Sequence, residues 1–125
     1  MINILIIGQE NDALSSLNTI LSSQDEVSTL VAGSEKEAEA SMAANTFQLV
    51  IIDETVGKRS GIEIAKGLVA SNPFLNCALI GSLPHEEFHE ATEGLGVLAQ
   101  IPTTPSTDDI EKLLTSLRKI LGLMR

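Results

Sequence analysis

The sequence predicts a three-layer α/β fold, in which one parallel five-stranded sheet lies between two layers of helices. Five short apolar segments alternate with helical patterns from one end of the chain to the other. These segments are almost continuously apolar, which is typical of parallel strands that are covered on both faces. Because crossovers between parallel strands are right-handed, the natural closure is a doubly wound (βα)5 sandwich. A chain of this length is expected to form a single domain, residues 1–125.

The first half of the chain carries three predicted strands and two predicted helices. The strands are expected at Ile2–Ile7, Val27–Ala32 and residues 49–53. Asn11 or Asp12 can cap the first helix, because short polar side chains accept hydrogen bonds from helix N-termini. Ser34 and Glu37 match a capping-box pattern, which predicts the start of the second helix.

The second half of the chain repeats this alternation. Strands are expected at residues 77–82 and Val97–Ile101, and helices at Gly61–Ser71, 84–93 and 106–121. Pro84 suits the first turn of its helix, and the pair Asn72-Pro73 stops the helix before it. Ser106 and Asp109 open the last helix, which carries a long apolar stripe.

The composition indicates which partners and which cellular compartment the protein is expected to have. The net charge is −9, from 17 acidic against 8 basic residues, and only 2% of the residues are aromatic. Nucleic acids and anionic lipids bind clusters of Lys and Arg, so neither is expected as a partner. No apolar segment approaches the ~18–20 residues of a membrane span, and we expect no secretion signal. The single Cys77 is expected to be buried in a reducing compartment, which indicates a cytoplasmic protein.

Three residues stand out at one edge of the predicted sheet. Asp53 ends the third strand, Ser82 ends the fourth, and Gly61 follows the aspartate by eight residues. Together with the order of elements, this spacing resembles the receiver domain of two-component response regulators, over essentially the whole chain. The resemblance implies a flavodoxin-like five-stranded sheet. It also implies that Asp53 is the phospho-accepting aspartate and that Ser82 hydrogen-bonds the phosphoryl group.

The chain departs from the receiver pattern at several positions. Gly8 and Gln9 replace the two acids that bind Mg²⁺ in receivers, and Thr103 replaces the lysine that pairs with the phosphate. Gln100 replaces the switch aromatic of the fifth strand, and Gly57 replaces the proline after the aspartate. We therefore expect an atypical receiver, or pseudo-receiver.

These losses bear on metal binding and on phosphoryl transfer. Mg²⁺ prefers oxygen ligands that include one or two carboxylates, and the resemblance leaves Asp53, Gln9 and Thr55 for it, with Glu10 pointing elsewhere by strand alternation. Transfer to a carboxylate needs neutralising charge, which Thr103 cannot supply. We expect weak Mg²⁺ binding and no enzyme activity beyond self-catalysed phosphorylation. Two hypotheses stay open: signalling by contact alone, which we favour, and slow or conditional phosphorylation of Asp53.

The resemblance also implies a partner surface, formed by the fourth helix, the fifth strand and the last helix. Its candidate contact residues are Phe88, His89, Leu95, Leu98 and Gln100. Phe88, Ala91 and Leu95 also fit a helical stripe that packs on the sheet, which is the alternative for Leu95 and the interpretation that we favour for Phe88. The implied partners are signalling proteins, a histidine kinase or an output domain, and the oligomeric state stays open, a homodimer included. Without a switch aromatic, we expect one fixed state of this surface.

One further motif suggests metal chemistry. Residues 85–89 match H-E-x-x-H, the zinc-binding helix motif of metalloproteases. Thr92 stands where the elongated form of the motif has glycine, and no third ligand follows at a family spacing. An exposed, polar helix face is therefore the interpretation that we favour.

Two features near Asp53 have alternative interpretations. Residues 53–56, with a later strand that ends in serine, loosely resemble haloacid-dehalogenase phosphatases. The late acids that such an enzyme needs, Asp108 and Asp109, fit a helix start better. Lys58 and Arg59 either attract an anion towards the aspartate or form a solvated loop. For Ser82, the alternative is a bond from the hydroxyl to the helix that follows.

Overall fold

The computed structural model describes residues 2–122, which form seven strands and five helices. The strands are β1 (Ile2–Ile7), β2 (Val27–Ala32), β3 (Leu49–Ile52), β4 (Thr55–Val56), β5 (Arg59–Ser60), β6 (Cys77–Ile80) and β7 (Val97–Ile101). The helices are α1 (Asp12–Ser22), α2 (Glu35–Ala44), α3 (Gly61–Ser71), α4 (His85–Thr92) and α5 (Thr107–Leu121). None of these helices is both long and apolar enough to cross a membrane.

Five of the strands form one parallel sheet in the order β2-β1-β3-β6-β7. This order confirms the predicted doubly wound fold, because the chain winds from β1 to one edge and then crosses to β3 and the other edge. The winding direction reverses between β1 and β3, and a crevice opens there at the carboxyl ends of the strands. Residues that directly follow β1 or β3 therefore lie at this crevice.

Helices cover both faces of the sheet, as predicted. On one face α1 and α5 bury Leu17 and Leu114 completely. On the other face α2, α3 and α4 pack against the sheet, where Ala65 and Phe88 join the core. Strands β3 and β6 are buried along their whole length, which explains their continuous apolar sequence. Cys77 on β6 is buried as predicted, and burial raises the pKa of its thiol to about 11.

Two of the helix starts predicted from sequence involve a pair of residues in a capping-box pattern, and one of these boxes forms completely. Ser106 and Asp109 make the reciprocal bonds of a capping box at the start of α5. The pKa of the Asp109 carboxyl is lowered, first by the bond from the backbone N–H of Ser106 and then by its hydroxyl. At α2 only one of the two bonds of the predicted capping box forms. Ser34 accepts from the N–H of Glu37, but the Glu37 carboxylate accepts from the N–H of Gly33.

The segment after β3 differs from its prediction as a loop. Strands β4 and β5 pair as a small antiparallel hairpin. Its two-residue turn has Gly57 at φ +64° in the first central position, where a type II′ turn requires a positive φ. In addition, β3 and β6 end at Ile52 and Ile80, one and two residues before the polar residues that we assigned to their ends.

The packing of α5 leads to a stability prediction. Leu114→Ala is expected to lower the free energy of unfolding by about 2–5 kcal/mol, because it empties a fully buried position between the helix and the sheet. The matched control is Ile120→Ala on the same helix, where the side chain is 57% exposed. This control is expected to change stability by no more than about 0.5 kcal/mol. Urea denaturation measures both, and equal losses would contradict the observed placement of α5.

Candidate functional site

Asp53 directly follows β3 and lies at the crevice between β1 and β3. Its backbone N–H donates to the carbonyl oxygen of Ile7 at 2.9 Å, which continues the ladder between the two strands by one residue. Gly8, the residue after β1, donates in the same way to Ala32 at 2.9 Å. The backbone therefore holds Asp53 and Gly8 side by side at the carboxyl edge of the sheet.

Both carboxylate oxygens of Asp53 accept hydrogen bonds from the protein. Oδ2 accepts from Nδ2 of Asn11 at 3.0 Å, and Oδ1 accepts from the backbone N–H of Glu54 at 2.8 Å. Asn11 is oriented for this contact because it is the N-cap of α1, where its Oδ1 accepts from the N–H of Leu14 at 2.9 Å. The cap occupies the amide oxygen and leaves the amide nitrogen free to bind the aspartate. The sequence predicted the cap but not this second contact.

Position 8 has no room for a side chain. A Cβ atom there would lie 2.5 Å from Cδ1 of Leu14 and 2.9 Å from Cβ of Asp53, and real Cβ atoms essentially never come within 3.0 Å of such neighbours. Leu14 is itself buried in the core, so it has little space in which to withdraw. Packing therefore excludes an acidic side chain at this position unless its neighbours move.

The oxygen donors that the sequence implied for a magnesium ion include a single carboxylate, that of Asp53. Mg²⁺ takes near-octahedral oxygen ligands that usually include one or two carboxylates. Gln9 and Thr55, the other ligands implied by the sequence, are exposed. Glu10 lines a separate cleft with Val31 on the β2 side. Across residues 2–122, no group of three His, Cys, Asp or Glu side chains converges on one metal position.

Ser82 binds a carboxylate of the protein itself. Its backbone N–H and its hydroxyl both donate to Oε2 of Glu54, at 2.7 and 2.8 Å. These lengths are typical of charge-assisted hydrogen bonds. The hydroxyl thus contacts the loop after β3 and not the following helix, which was the alternative from sequence. Sequence reasoning missed Glu54, because no motif marks it and alternation along a strand points it away from Asp53.

The basic side chains that lie near Asp53 in the sequence face other partners or solvent. Across residues 2–122, no Lys, Arg or His side chain forms an ion pair with it. Thr103 is exposed on the loop between β7 and α5. Arg59 turns towards α2 and pairs with Glu35 at 3.1 Å, so it does not attract an anion to the aspartate. Lys58 is exposed at the tip of the hairpin, as expected for a solvated loop.

Comparison with known proteins addresses the fold. No protein-family model matches the sequence, and no curated protein matches it. Solved structures match along the whole chain. A response regulator receiver domain protein from Clostridium thermocellum superposes with a TM-score of 0.80 at 19% identity, covering 99% of this chain and 100% of that one. The receiver domain of a Francisella response regulator has a TM-score of 0.81 at 18% identity, covering 96% and 99%. This chain has the receiver-domain fold.

A third solved structure matches this chain over its whole length. The N-terminal domain of an uncharacterized protein from Wolinella succinogenes superposes with a TM-score of 0.80 at 22% identity, and the alignment covers 100% of both chains. The match therefore extends over all five strands of the parallel sheet.

The expected partner surface of this receiver fold is formed by α4, β7 and α5, and the structure revises its composition. Phe88 is only 7% exposed and packs in the core between α4 and the sheet. The helical stripe that packs on the sheet, the interpretation that the sequence favours for Phe88, is therefore confirmed, and its side chain is not an accessible contact residue. Leu95 packs partly against the same cluster, and Leu98 packs partly against the cluster on the other face. His89 is exposed on α4.

Gln100, at the position of the switch aromatic of receivers, is half-buried and turned towards the loop between β6 and α4. Its Nε2 donates to the carbonyl oxygen of Gly81 at 3.2 Å and to that of Leu83 at 2.8 Å. These bonds tie the loop to β7. The side chain is therefore engaged inside the receiver fold and presents little of itself to a partner.

The alternative motifs gain no support from the structure. His85 and His89 stack with their ring centroids 6.5 Å apart on the exposed face of α4. The described part of the chain brings no third metal ligand to them. Asp108 and Asp109 lie in the first turn of α5, which matches the helix-start interpretation and not a phosphatase site.

Proposed function

We propose that this chain is a receiver-type signalling module that acts through protein–protein contacts and does not depend on phosphorylation of Asp53. The observation that carries the proposal is the closed position beside the aspartate, where a Cβ at Gly8 would lie 2.9 Å from Cβ of Asp53. An acid that would hold Mg²⁺ next to the acceptor has no place there. The receiver fold supports the signalling role, and the packing around Gly8 supports the loss of phosphorylation.

The charges around Asp53 support the same proposal. Transfer of a phosphoryl group to a carboxylate brings two anions together, so it depends on nearby cations. Thr103 is neutral where receivers carry lysine, and the whole chain has a net charge of −9. An approaching phosphodonor would therefore meet net repulsion. We propose accordingly that Mg²⁺ binds weakly and that the domain is not an enzyme.

The docking surface in this proposal is the exposed part of α4, β7 and α5. His89 offers an exposed polar contact, and the partly buried Leu98 offers apolar area on β7. The hydrogen bonds of Gln100 to the loop before α4 support a surface that keeps one conformation. The partner would be another signalling protein, a histidine kinase or an output domain.

Slow or conditional phosphorylation of Asp53 is the second candidate. One observation favours it: the aspartate is only partly buried at the crevice, and both its oxygens accept bonds from neutral N–H donors. A carboxylate that solvent can reach in this way can act as a nucleophile. The two candidates differ in whether a phosphodonor modifies the protein.

Incubation with a small acyl phosphate and Mg²⁺ separates these candidates. We expect the intact mass of the protein to stay unchanged, because neither a metal site nor a lysine neutralises the incoming charge. A receiver domain that is known to accept phosphate, treated in the same tube, controls for the donor. An added phosphate that disappears in the Asp53→Ala variant would reject the proposal and establish the second candidate.

A further inference from the structure

Glu54 and Ser82 join two loops at the carboxyl edge of the sheet. One oxygen of Glu54, Oε2, accepts from both the backbone N–H and the hydroxyl of Ser82, at 2.7 and 2.8 Å. Glu54 is half-buried and Ser82 is exposed, so the contact lies near solvent. Two donors of one residue that converge on one oxygen form a small niche for an anionic oxygen.

The backbone around Glu54 orients its side chain towards this niche. Its N–H donates to Oδ1 of Asp53 at 2.8 Å, and its carbonyl oxygen accepts from the N–H of Gly61 at 2.9 Å. The β4–β5 hairpin follows at once and further restricts the loop. A group that is tethered in this way acts at an effective concentration on the order of mM or more. A free anion competes poorly against it.

The loop that carries Ser82 is also held from its other side. Gln100 on β7 donates to the carbonyl oxygens of Gly81 and Leu83, the two neighbours of Ser82. A Cβ at Gly81 would lie 3.7 Å from Oε2 of Glu54 and 3.8 Å from Nε2 of Gln100, so these two groups flank the loop. Contacts within the protein, from Glu54 on one side and Gln100 on the other, therefore hold residues 81–83 in position.

We infer that Ser82 forms an anion niche whose resident ligand is the carboxylate of Glu54, which keeps small oxyanions such as phosphate out of it. The inference rests on the proposed function and goes further, because it names the group that takes the hydrogen bonds expected for a phosphoryl group. A second anion at Ser82 would face the Glu54 carboxylate at close range and would lose both donors to it. Glu54 thus determines which anion the niche accepts.

The test removes the resident carboxylate and offers inorganic phosphate. The protein carries Asp53→Asn, which prevents covalent phosphorylation at that residue, and the Ser82 amide is followed by NMR during the titration. Adding Glu54→Ala is expected to produce a saturable shift of this amide, with a Kd at least about tenfold lower than with Glu54 present. Glu10→Ala is the matched control, because it removes the same charge from the same edge without touching Ser82.

Each outcome of this experiment either supports or overturns the inference. A phosphate-dependent shift that requires the loss of Glu54, and that Glu10→Ala does not produce, supports it. An equal response with Glu54 present, or no response in a folded Glu54→Ala variant, overturns it. If Glu54→Ala does not fold, Glu54→Gln keeps the shape without the charge and is expected to lower the Kd in the same direction. None of these results depends on whether wild-type Asp53 accepts phosphate, so a failure here is distinct from a failure of the proposed function.

Discussion

Gly8→Asp is expected to lower the free energy of unfolding by about 1–3 kcal/mol, although it restores an acid that receivers carry. Its Cβ would lie 2.5 Å from Cδ1 of Leu14 and 2.9 Å from Cβ of Asp53, so the core must open to admit it. Overpacking of this kind costs about 1–3 kcal/mol. The added carboxylate would also face Asp53, and two like charges in one site disfavour ionisation of both.

Gln9→Asp is the matched control for this variant. It introduces the same charge at the adjacent position, but the side chain there is exposed. We expect its stability to stay within about 0.5 kcal/mol of the wild type. Urea denaturation at neutral pH compares the two variants. A Gly8→Asp protein that is as stable as Gln9→Asp and binds Mg²⁺ tightly would show that the position beside the aspartate is not closed.

Gly61→Ala is expected to destabilise the domain by about 1–3 kcal/mol, because the new methyl group has no space. Gly61 is buried at the start of α3, and a Cβ there would collide with the backbone carbonyl oxygen of Asp53. It would also lie 3.3 Å from Cγ2 of Ile52. Backbone atoms cannot rotate away as a side chain does, so the loop that carries the aspartate must shift.

Gly67→Ala in the same helix is expected to raise the free energy of unfolding, the opposite of the effect of Gly61→Ala. No atom lies within 4 Å of a Cβ at that position, and alanine restricts the unfolded chain more than glycine does, so a gain of about 0.4–1 kcal/mol is expected. Thermal or urea denaturation shows whether each variant is more or less stable than the wild type. A stabilising effect of both substitutions would mean that Gly61 is not in contact with the Asp53 backbone.

Most of the fold could be predicted from the sequence, because parallel strands that are covered on both faces have continuously apolar sequences. The continuous apolar segments at β1, β3 and β6 and the caps at Asn11 and Ser106 set the order of elements correctly. The β4–β5 hairpin was missed because strands of two residues are too short to show an alternating pattern. Its one local signal was Gly57, a residue suited to the first position of a tight hairpin turn.

The candidate site could be predicted only in part. Topology places Asp53 and Gly8 together, because the carboxyl ends of neighbouring parallel strands meet at one edge. The bonds of Asn11 to Asp53 and of Glu54 to Ser82 were not predictable in the same way. They span 42 and 28 residues of sequence and depend on how loops from different strands face one another. Such contacts follow from tertiary geometry and leave no periodic pattern in the sequence.

The sheet also divides the hydrophobic interior into two compartments. Side chains of α1 and α5 fill one, and those of α2, α3 and α4 fill the other. Residues that share no neighbours contribute to stability almost independently. Substitutions in one helical layer are therefore expected to change stability independently of substitutions in the opposite layer. The loops at the carboxyl edge differ, because their hydrogen bonds join residues from several elements.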